Sequence, residues 1–156
     1  MRGWSWLREM TGMLQGLRQL QAAERWQLAG MMVALPLIHA SLRMSGYMRT
    51  RQWLERWSHN ASARTARASE IESARSIARL AAIAGRRGAV NATCLRQSLL
   101  VYWLLRRRGL APQLKLGVHK RDGHVDAHAW VELEGRSLDA EPQHHHAFVS
   151  QADWPT

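Results

Sequence analysis

Cysteine is nearly absent from this sequence, which has one, Cys94, in 156 residues. A single cysteine excludes an internal disulfide framework and any Cys-x-x-Cys metal or redox motif. No secretory signal is expected, because the first ten residues, MRGWSWLREM, carry positive charge without an apolar run behind them. The expected location is therefore the cytoplasm.

Acidic residues are also scarce. Twelve Asp and Glu stand against 22 Lys and Arg, so the formal net charge is +10. A surface of this sign attracts nucleic acid, anionic lipid and acidic peptides alike. The sequence contains neither paired Cys and His zinc ligands nor an aromatic RNA-binding consensus, so we do not expect nucleic acid to be its partner.

A long uninterrupted apolar run is missing as well. The most apolar stretch, residues 26–42, contains Gln27, Pro36 and His39 within the roughly 20 residues that a membrane-spanning helix needs. We predict a buried helix with a kink at Pro36 in preference to a membrane span. Weak contact with a membrane surface stays open, because tryptophans and arginines suit that interface. The tryptophans concerned are Trp4, Trp6, Trp26, Trp53 and Trp57.

Length and composition favour one compact unit. A chain of 156 residues, 46% of them apolar, supports one core and leaves two separate cores marginal. We predict a helical lead-in over residues 1–60 and a second part, which carries the chemically interesting residues, over 61–156. Between them a small, polar stretch, SHNASARTARAS, indicates a boundary or a solvated connection. The lead-in begins with apolar residues at helical spacing: Leu7, Met10, Leu14 and Leu17.

An Ala-rich helix is predicted from Ala66 to Ala84. Its apolar residues form one narrow stripe: Ile71, Ala74, Ile77, Ala78 and Ala81. Arg75 and Arg79 lie outside this stripe and indicate a solvated face. Gly85 and Gly88 are expected to end the helix.

The next predicted helix carries the cysteine. Leu95, Leu99, Tyr102 and Trp103 recur at helical spacing, Asn91 or Thr93 is the expected capping residue, and Gly109 ends the helix. Cys94 therefore lies in the first turn, where backbone N–H groups and the helix dipole favour a thiolate. Taken alone, it would more simply be a buried structural cysteine.

Period-two alternation then predicts strands. Leu114, Leu116 and Val118 alternate with polar or small residues, and Asp122 and Gly123 offer a turn. In the following run two faces separate: Val125, Ala127, Ala129, Val131 and Leu133 on one, Asp126, His128, Trp130 and Glu132 on the other. Glu134 and Gly135 make a second turn before a strand over residues 136–140. Helices followed by an antiparallel sheet predict an α+β fold.

His128 is the candidate base for Cys94. The length of the second turn decides which acidic residue can lie beside His128 and orient it. A two-residue loop at Glu134 and Gly135 pairs Leu133 with Arg136, and this register sets Asp139 on the face of His128 and diagonal to it, at roughly 7 to 8 Å between backbones. A carboxylate there would hold the imidazole, as a nucleophile and its base require. A three-residue loop would turn Asp139 away, and Glu141 or Asp126 would take its place.

These residues carry a family resemblance. The pattern TCLRQSLLVYWLLRRRG, then LKLGV, then DAHAWVELEGRSLD resembles the peptidase domain of lasso-peptide leader peptidases, in the transglutaminase-like cysteine superfamily. The segment ERWQLAGMMVALPLIHASLRM is similar to their helical lead-in, so the resemblance covers most of the chain. It implies a transglutaminase or papain-like core with a catalytic triad of Cys94, His128 and Asp139. The Cys94 backbone N–H would be one oxyanion donor.

The resemblance also implies partners: a ribosomally made precursor peptide, a separate leader-recognition protein and an asparagine-synthetase-like cyclase. No cofactor or metal is expected, because the adjacent histidines 144–146 point in different directions and suit a solvent loop better than a zinc site. Two other functions compete with leader removal. One is a transglutaminase-like acyltransferase or amidase that acts on another substrate, and the other is a non-catalytic scaffold.

Overall fold

The computed structural model describes residues 22–58, 64–87, 93–121, 124–138 and 149–150. In this part of the chain three helices precede a four-stranded antiparallel sheet, which confirms the predicted α+β class. The helices are α1 (Ala22–Arg56), α2 (Ala68–Arg87) and α3 (Cys94–Arg107). The strands are β1 (Gln113–Arg121), β2 (His124–Leu133), β3 (Arg136–Ser137) and β4 (Val149–Ser150). The predicted helix through Leu7 to Leu17 lies outside the described residues.

Helix α1 contains a break at Gly46. The backbone there has φ 74° and ψ 176°, a combination that is essentially confined to glycine. Pro36 lies inside the helical run, and the backbone leaves helical geometry at Gly46; the expected kink at Pro36 stays a prediction. One face of α1 is buried: Leu28, Met31, Leu35 and Ile38 on this face are each 3% exposed or less.

Helix α2 buries the predicted stripe. Its core residues are Ile71, Ala74, Ile77, Leu80, Ala81 and Ala84, and Ala78 packs partly against them. The expectation that Gly85 ends this helix is wrong, since α2 continues to Arg87. Gly85 is buried, and a Cβ at this position would collide with the side chain of Gln97 on α3. The end of α2 therefore meets the start of α3 at Gly85 and Gln97.

Helix α3 is the centre of the fold. It packs against α1, α2 and β2, and Leu99, Leu100 and Leu105 are fully buried. Its link to α1 is polar: the Tyr102 hydroxyl donates a 2.9 Å hydrogen bond to Glu55, which also accepts one of 3.0 Å from Arg51. Burial alone would raise the pKa of Glu55, but these two hydrogen bonds outweigh it and lower that pKa.

The sheet has the order β3-β2-β1-β4, with every neighbour antiparallel. Arg121 pairs with His124, which leaves two residues for the first connection, as predicted; Asp122 and Gly123 themselves lie outside the described residues. The pairing of β4 with Gly117 and Val118 is a feature that the sequence pattern missed. A strand of two residues is too short for a period-two signal.

The second hairpin confirms the predicted register. Leu133 pairs with Arg136 and Glu132 with Ser137, so Glu134 and Gly135 form a two-residue loop. Both loop residues have positive φ, 51° and 70°, which is the requirement of a type I′ turn. The Leu138 N–H continues the ladder with a 3.0 Å hydrogen bond to the Val131 carbonyl oxygen.

The hydrophobic core is shared by all three helices and the sheet. Leu54 of α1, Leu80 of α2, Leu99 of α3 and Leu133 of β2 belong to one buried cluster. The described part of the lead-in therefore packs on the same core as the rest. The division of the chain at residues 60 and 61 stays a prediction.

The connection before α2 is anchored on both sides. The Arg64 N–H donates to the Gly109 carbonyl oxygen at 3.2 Å, and the Ala66 N–H donates to the Glu134 carboxylate at 2.9 Å. Two guanidinium nitrogens of Arg64 also donate hydrogen bonds to the Glu70 carboxylate. Residues 64–67 thus tie α2 to the end of α3 and to the hairpin turn, although their side chains are mostly exposed.

Candidate active site

The start of α3 presents the thiol of Cys94. Thr93 is the N-cap residue, with an extended backbone, and its carbonyl oxygen accepts the N–H groups of Arg96 and Gln97 at 3.0 and 3.2 Å. Helix geometry leaves the N–H groups of Cys94 and Leu95 directed out of the helix end. The first turn contains no acidic residue, so the positive end of the helix dipole is not offset there. Cys94 is partly buried. Its place in the first turn of a helix is the one that the sequence predicts.

Helix α3 contacts the backbone of β2 through two side chains one turn apart. The Cys94 sulfur lies 3.9 Å from the carbonyl oxygen of Ala127, and the Ser98 hydroxyl donates a 2.8 Å hydrogen bond to the carbonyl oxygen of Ala129. Ser98 is buried, so its hydrogen bond is shielded from water. The two contacts set the helix along the strand on either side of His128.

The short length of β3 explains why these carbonyl groups meet a helix. Alternate carbonyls of a strand point to the same edge, and at this edge the Val131 oxygen still accepts the N–H of Leu138. Further along the same edge, Ala129 and Ala127 meet Ser98 and Cys94. Helix α3 thus succeeds β3 as the neighbour of β2.

His128 lies between these two contact points, on the opposite sheet face from Ala129 and Val131. Its partner across β1 is Gly117, which has no side chain to crowd the imidazole. The ring is stacked on Trp130, with centroids 6.0 Å apart and planes inclined by 14°. Trp130 is itself buried and donates a 2.9 Å hydrogen bond to Glu132, so the ring beside His128 is fixed in place.

The side chains of the three candidate orienting acids are not among those that the structure describes. Asp139 and Glu141 lie outside the described residues, and the side chain of Asp126 is not described. What the structure does provide is the register of the hairpin up to Leu138, and that register is the one on which the choice of Asp139 depends. The histidines 144–146 also lie outside the described residues. Within the described chain, no cluster of three or more His, Cys, Asp or Glu side chains could hold a metal ion.

A cavity of about 370 Å³ opens beside the start of α3. Its lining comes from α1 on both sides of the break at Gly46 and from the N-cap and first turn of α3: His39, Leu42, Arg43, Tyr47, Thr93, Leu95 and Arg96. Two arginines and no carboxylate are present in this lining. The Nδ1 atom of His39 is buried and has no hydrogen-bond partner among the described residues.

Sequence reasoning missed Ser98 and His39. Ser98 follows Cys94 by one helical turn, so helical spacing alone would have put both on one face. Nothing in the sequence pattern, however, distinguishes a serine that holds a strand from one that faces solvent. In the sequence, His39 is distinguished only as a polar interruption of an apolar run.

A helix-start thiol beside an antiparallel strand that carries a histidine is the arrangement expected of transglutaminase-like enzymes. The chain belongs to the transglutaminase-like superfamily, whose family description matches residues 31–152, well over half of the sequence. Members of this superfamily are generally catalytic and include cysteine peptidases and acyltransferases. A comparison with curated proteins found no match, and neither did a comparison with solved structures.

Proposed function

We propose that this protein is a cysteine peptidase that removes the leader peptide from a ribosomally synthesised lasso-peptide precursor. The observation that carries the proposal is the contact between the Cys94 sulfur and the Ala127 carbonyl, because Ala127 directly precedes His128. Membership of the superfamily supports a catalytic role for the pair in general terms. The resemblance of TCLRQSLLVYWLLRRRG and DAHAWVELEGRSLD to leader peptidases supports the particular substrate.

In the proposed reaction His128 takes the proton of the Cys94 thiol, and the sulfur attacks the carbonyl carbon of the scissile peptide bond. The developing oxyanion is stabilised by the Cys94 backbone N–H, one of the donors left open at the helix start. The C–N bond then breaks, and His128 returns the proton to the departing amine. Water hydrolyses the resulting thioester to give the free leader acid and regenerate the thiol.

The cavity beside α3 is a suitable place for part of the peptide. It adjoins Thr93 and Leu95, the residues on either side of Cys94, and its arginines suit carbonyl oxygens or an acidic side chain. In this proposal Asp139 orients His128 and no cofactor takes part. The partners are the precursor, a separate leader-recognition protein and an asparagine-synthetase-like cyclase that joins the freed amine to an acidic side chain.

The proposal is tested by incubating the purified protein with a lasso precursor and its recognition protein, and following the free leader by mass spectrometry. Cys94→Ala and His128→Ala should each lower the cleavage rate by at least about 10³-fold, as loss of a nucleophile or base does in comparable enzymes. Ser73→Ala is the matched control, because Ser73 is an exposed α2 residue. Its cleavage rate should equal that of the unchanged protein.

Running the reaction in ¹⁸O-labelled water separates the alternatives. A peptidase puts one ¹⁸O atom into the new carboxylate of the leader, whereas an acyltransferase joins the leader to an added primary amine in preference to water. A scaffold would support precursor maturation equally well with Cys94→Ala. Cleavage by Cys94→Ala at the unchanged rate would exclude the proposed nucleophile.

A further inference from the structure

Helix α1 is apolar on two opposite faces. The inner face is buried in the core through Leu28, Met31, Leu35 and Ile38. The outer face carries large apolar side chains that stay exposed: Trp26 at 81%, Val33 at 66%, Leu37 at 60% and Met44 at 81%. A helix that is hydrophobic all round normally has both faces covered. The outer face therefore indicates a binding surface that is uncovered in the described residues.

The outer residues form one straight line, which we name the outer stripe. Positions 26, 33, 37 and 44 coincide on a helix of 3.6 residues per turn, and the exposed residues Ala29, Gly30 and Ala40 fill the gaps between them. At 1.5 Å per residue the stripe is about 27 Å long. It precedes the break at Gly46, so it lies on one uninterrupted helical run. No charged residue interrupts it.

The exposed charges of α1 have one sign. Every exposed charged residue of α1 is an arginine: Arg25, Arg43, Arg49 and Arg56. The two acids of this helix are partly buried, and Glu55 is already bound by Arg51 and Tyr102. Two further exposed tryptophans, Trp53 and Trp57, lie near the end of the helix with ring centroids 5.0 Å apart. Exposed apolar side chains, tryptophans and arginines along one helix are the composition of helices that lie in the headgroup region of a membrane.

We propose that the outer stripe binds the surface of an anionic lipid bilayer, with α1 lying in the plane of the membrane. The arginines and the net charge of +10 supply the electrostatic complement to anionic headgroups. This proposal is independent of the peptidase activity. It identifies which face of the protein meets the lipid.

The surface orientation is preferred to a membrane span for a structural reason. In the described residues, α1 is long and apolar enough by length and composition to cross a bilayer. Its inner face, however, packs against α2 and α3. A spanning orientation would pull Leu28, Met31, Leu35 and Ile38 out of the core, whereas a surface orientation leaves them in place.

The test is sedimentation of the purified full chain with vesicles of phosphatidylcholine containing about 30% phosphatidylglycerol, an anionic content at which basic segments bind. The chain should bind these vesicles, bind phosphatidylcholine vesicles much less, and bind more weakly as salt is raised. Val33→Gln with Leu37→Gln should weaken binding about tenfold or more. Circular dichroism checks that this variant folds, and Val33→Ala with Leu37→Ala replaces it if it does not.

A charge-matched pair of variants tests the position of the contact. Arg25→Gln with Arg43→Gln should weaken binding about tenfold, whereas Arg75→Gln with Arg79→Gln on α2, which removes the same charge, should change it by less than about threefold. The proposal is overturned if the unchanged chain does not sediment with anionic vesicles at low salt. It is also overturned if the Val33→Gln, Leu37→Gln variant binds vesicles as well as the unchanged chain does. A third contrary outcome is a dimer of the unchanged chain, seen by ultracentrifugation, that binds no vesicles and that the same two substitutions dissociate. If residues 1–21 cover the stripe instead, the stripe variant loses thermal stability and the unchanged chain binds no vesicles, which equally overturns it.

Discussion

The hydroxyl of Ser98 donates a 2.8 Å hydrogen bond to the carbonyl oxygen of Ala129, and both residues are buried. Ser98 lies one helical turn after Cys94, and Ala129 lies two residues after Ala127, whose carbonyl oxygen the Cys94 sulfur approaches. One buried hydrogen bond therefore fixes how far α3 is advanced along β2. It thereby sets the position of the thiol relative to His128.

Ser98→Ala should lower the free energy of unfolding by about 1 to 3 kcal/mol, because it leaves the buried Ala129 carbonyl without its donor. Urea unfolding measures this change. The control is Ser73→Ala on α2, where an exposed hydroxyl donates to the Ser69 carbonyl oxygen at 3.1 Å and the change should be within about 0.5 kcal/mol. Equal stability of the two variants would show that the Ser98 hydrogen bond does not hold the helix to the strand.

Cys94 should react with iodoacetamide near neutral pH in the folded protein. The thiol is partly exposed at a helix start, and no acidic residue lies in that first turn to repel an attacking group, so the sulfur is open to the reagent. Mass spectrometry should find one adduct, and none in Cys94→Ser. His128→Ala should slow the reaction, since the proposed base is then missing. A folded protein whose thiol reacts only after urea is added would argue against a catalytic cysteine.

Asp139→Asn should lower the rate of leader cleavage by about 10³- to 10⁴-fold, because it removes the charge that stabilises the imidazolium while keeping the shape of the side chain. The matched variants Asp126→Asn and Glu141→Gln should cost far less. Single-turnover cleavage at saturating precursor compares the three. If Glu141→Gln or Asp126→Asn shows the large loss and Asp139→Asn does not, the orienting acid is the other carboxylate.

Acid should remove one particular contribution to stability. Hydrogen bonds from the Arg64 guanidinium and the Arg67 N–H lower the pKa of Glu70 to about 2 in the folded protein. In the unfolded chain the pKa of this carboxyl group is about 4.3, so the unfolded chain binds a proton at Glu70 more readily. The stabilisation is complete above the unfolded pKa and is lost as the pH falls towards about 2. Glu70→Gln should therefore lower Tm at neutral pH, and the difference from the unchanged protein should vanish by about pH 2.

Differential scanning calorimetry between neutral pH and pH 2 measures that difference. Glu72→Gln on the same helix is the control, because the pairing of Glu72 with Arg75 is confined to exposed side chains of α2. Its effect on Tm should be small throughout. A Tm difference for Glu70→Gln that is unchanged at low pH would show that the ion pair is not its source.

Tyr102→Phe tests the polar link between α3 and α1. Burial, and then the hydrogen bond to Glu55, raise the pKa of Tyr102, which therefore stays protonated as the donor. Removing the hydroxyl should cost about 0.5 to 1.5 kcal/mol in the free energy of unfolding, as measured by urea. Ser73→Ala, which removes an exposed hydroxyl of α2, is the control. A loss no greater than that of the control would mean that the Tyr102 bond contributes nothing net.

Local pattern predicted a large part of this structure. The type I′ hairpin at Glu134 and Gly135 follows from a turn pair that tolerates positive φ, and the alternation on either side of it fixes the register. The position of Cys94 at a helix start agrees with the apolar spacing behind it and with Thr93 as the N-cap residue, although the Thr93 side chain makes no capping hydrogen bond. Local pattern failed at Gly85, where α2 continues to Arg87 with the side chain of Gln97 from α3 packed against it.

Local sequence pattern is enough to predict the α+β class, the helix-start cysteine, the strand histidine and the hairpin register, since each depends on residues close together in the chain. The length of β3, which leaves the remaining edge of β2 to α3, depends on the tertiary structure. So does the contact of Ser98 and Cys94 with the carbonyl groups on either side of His128. The tertiary structure also decided which face of α1 is covered. Contacts between distant segments depend on how faces and edges come together in space, and no local periodicity records that.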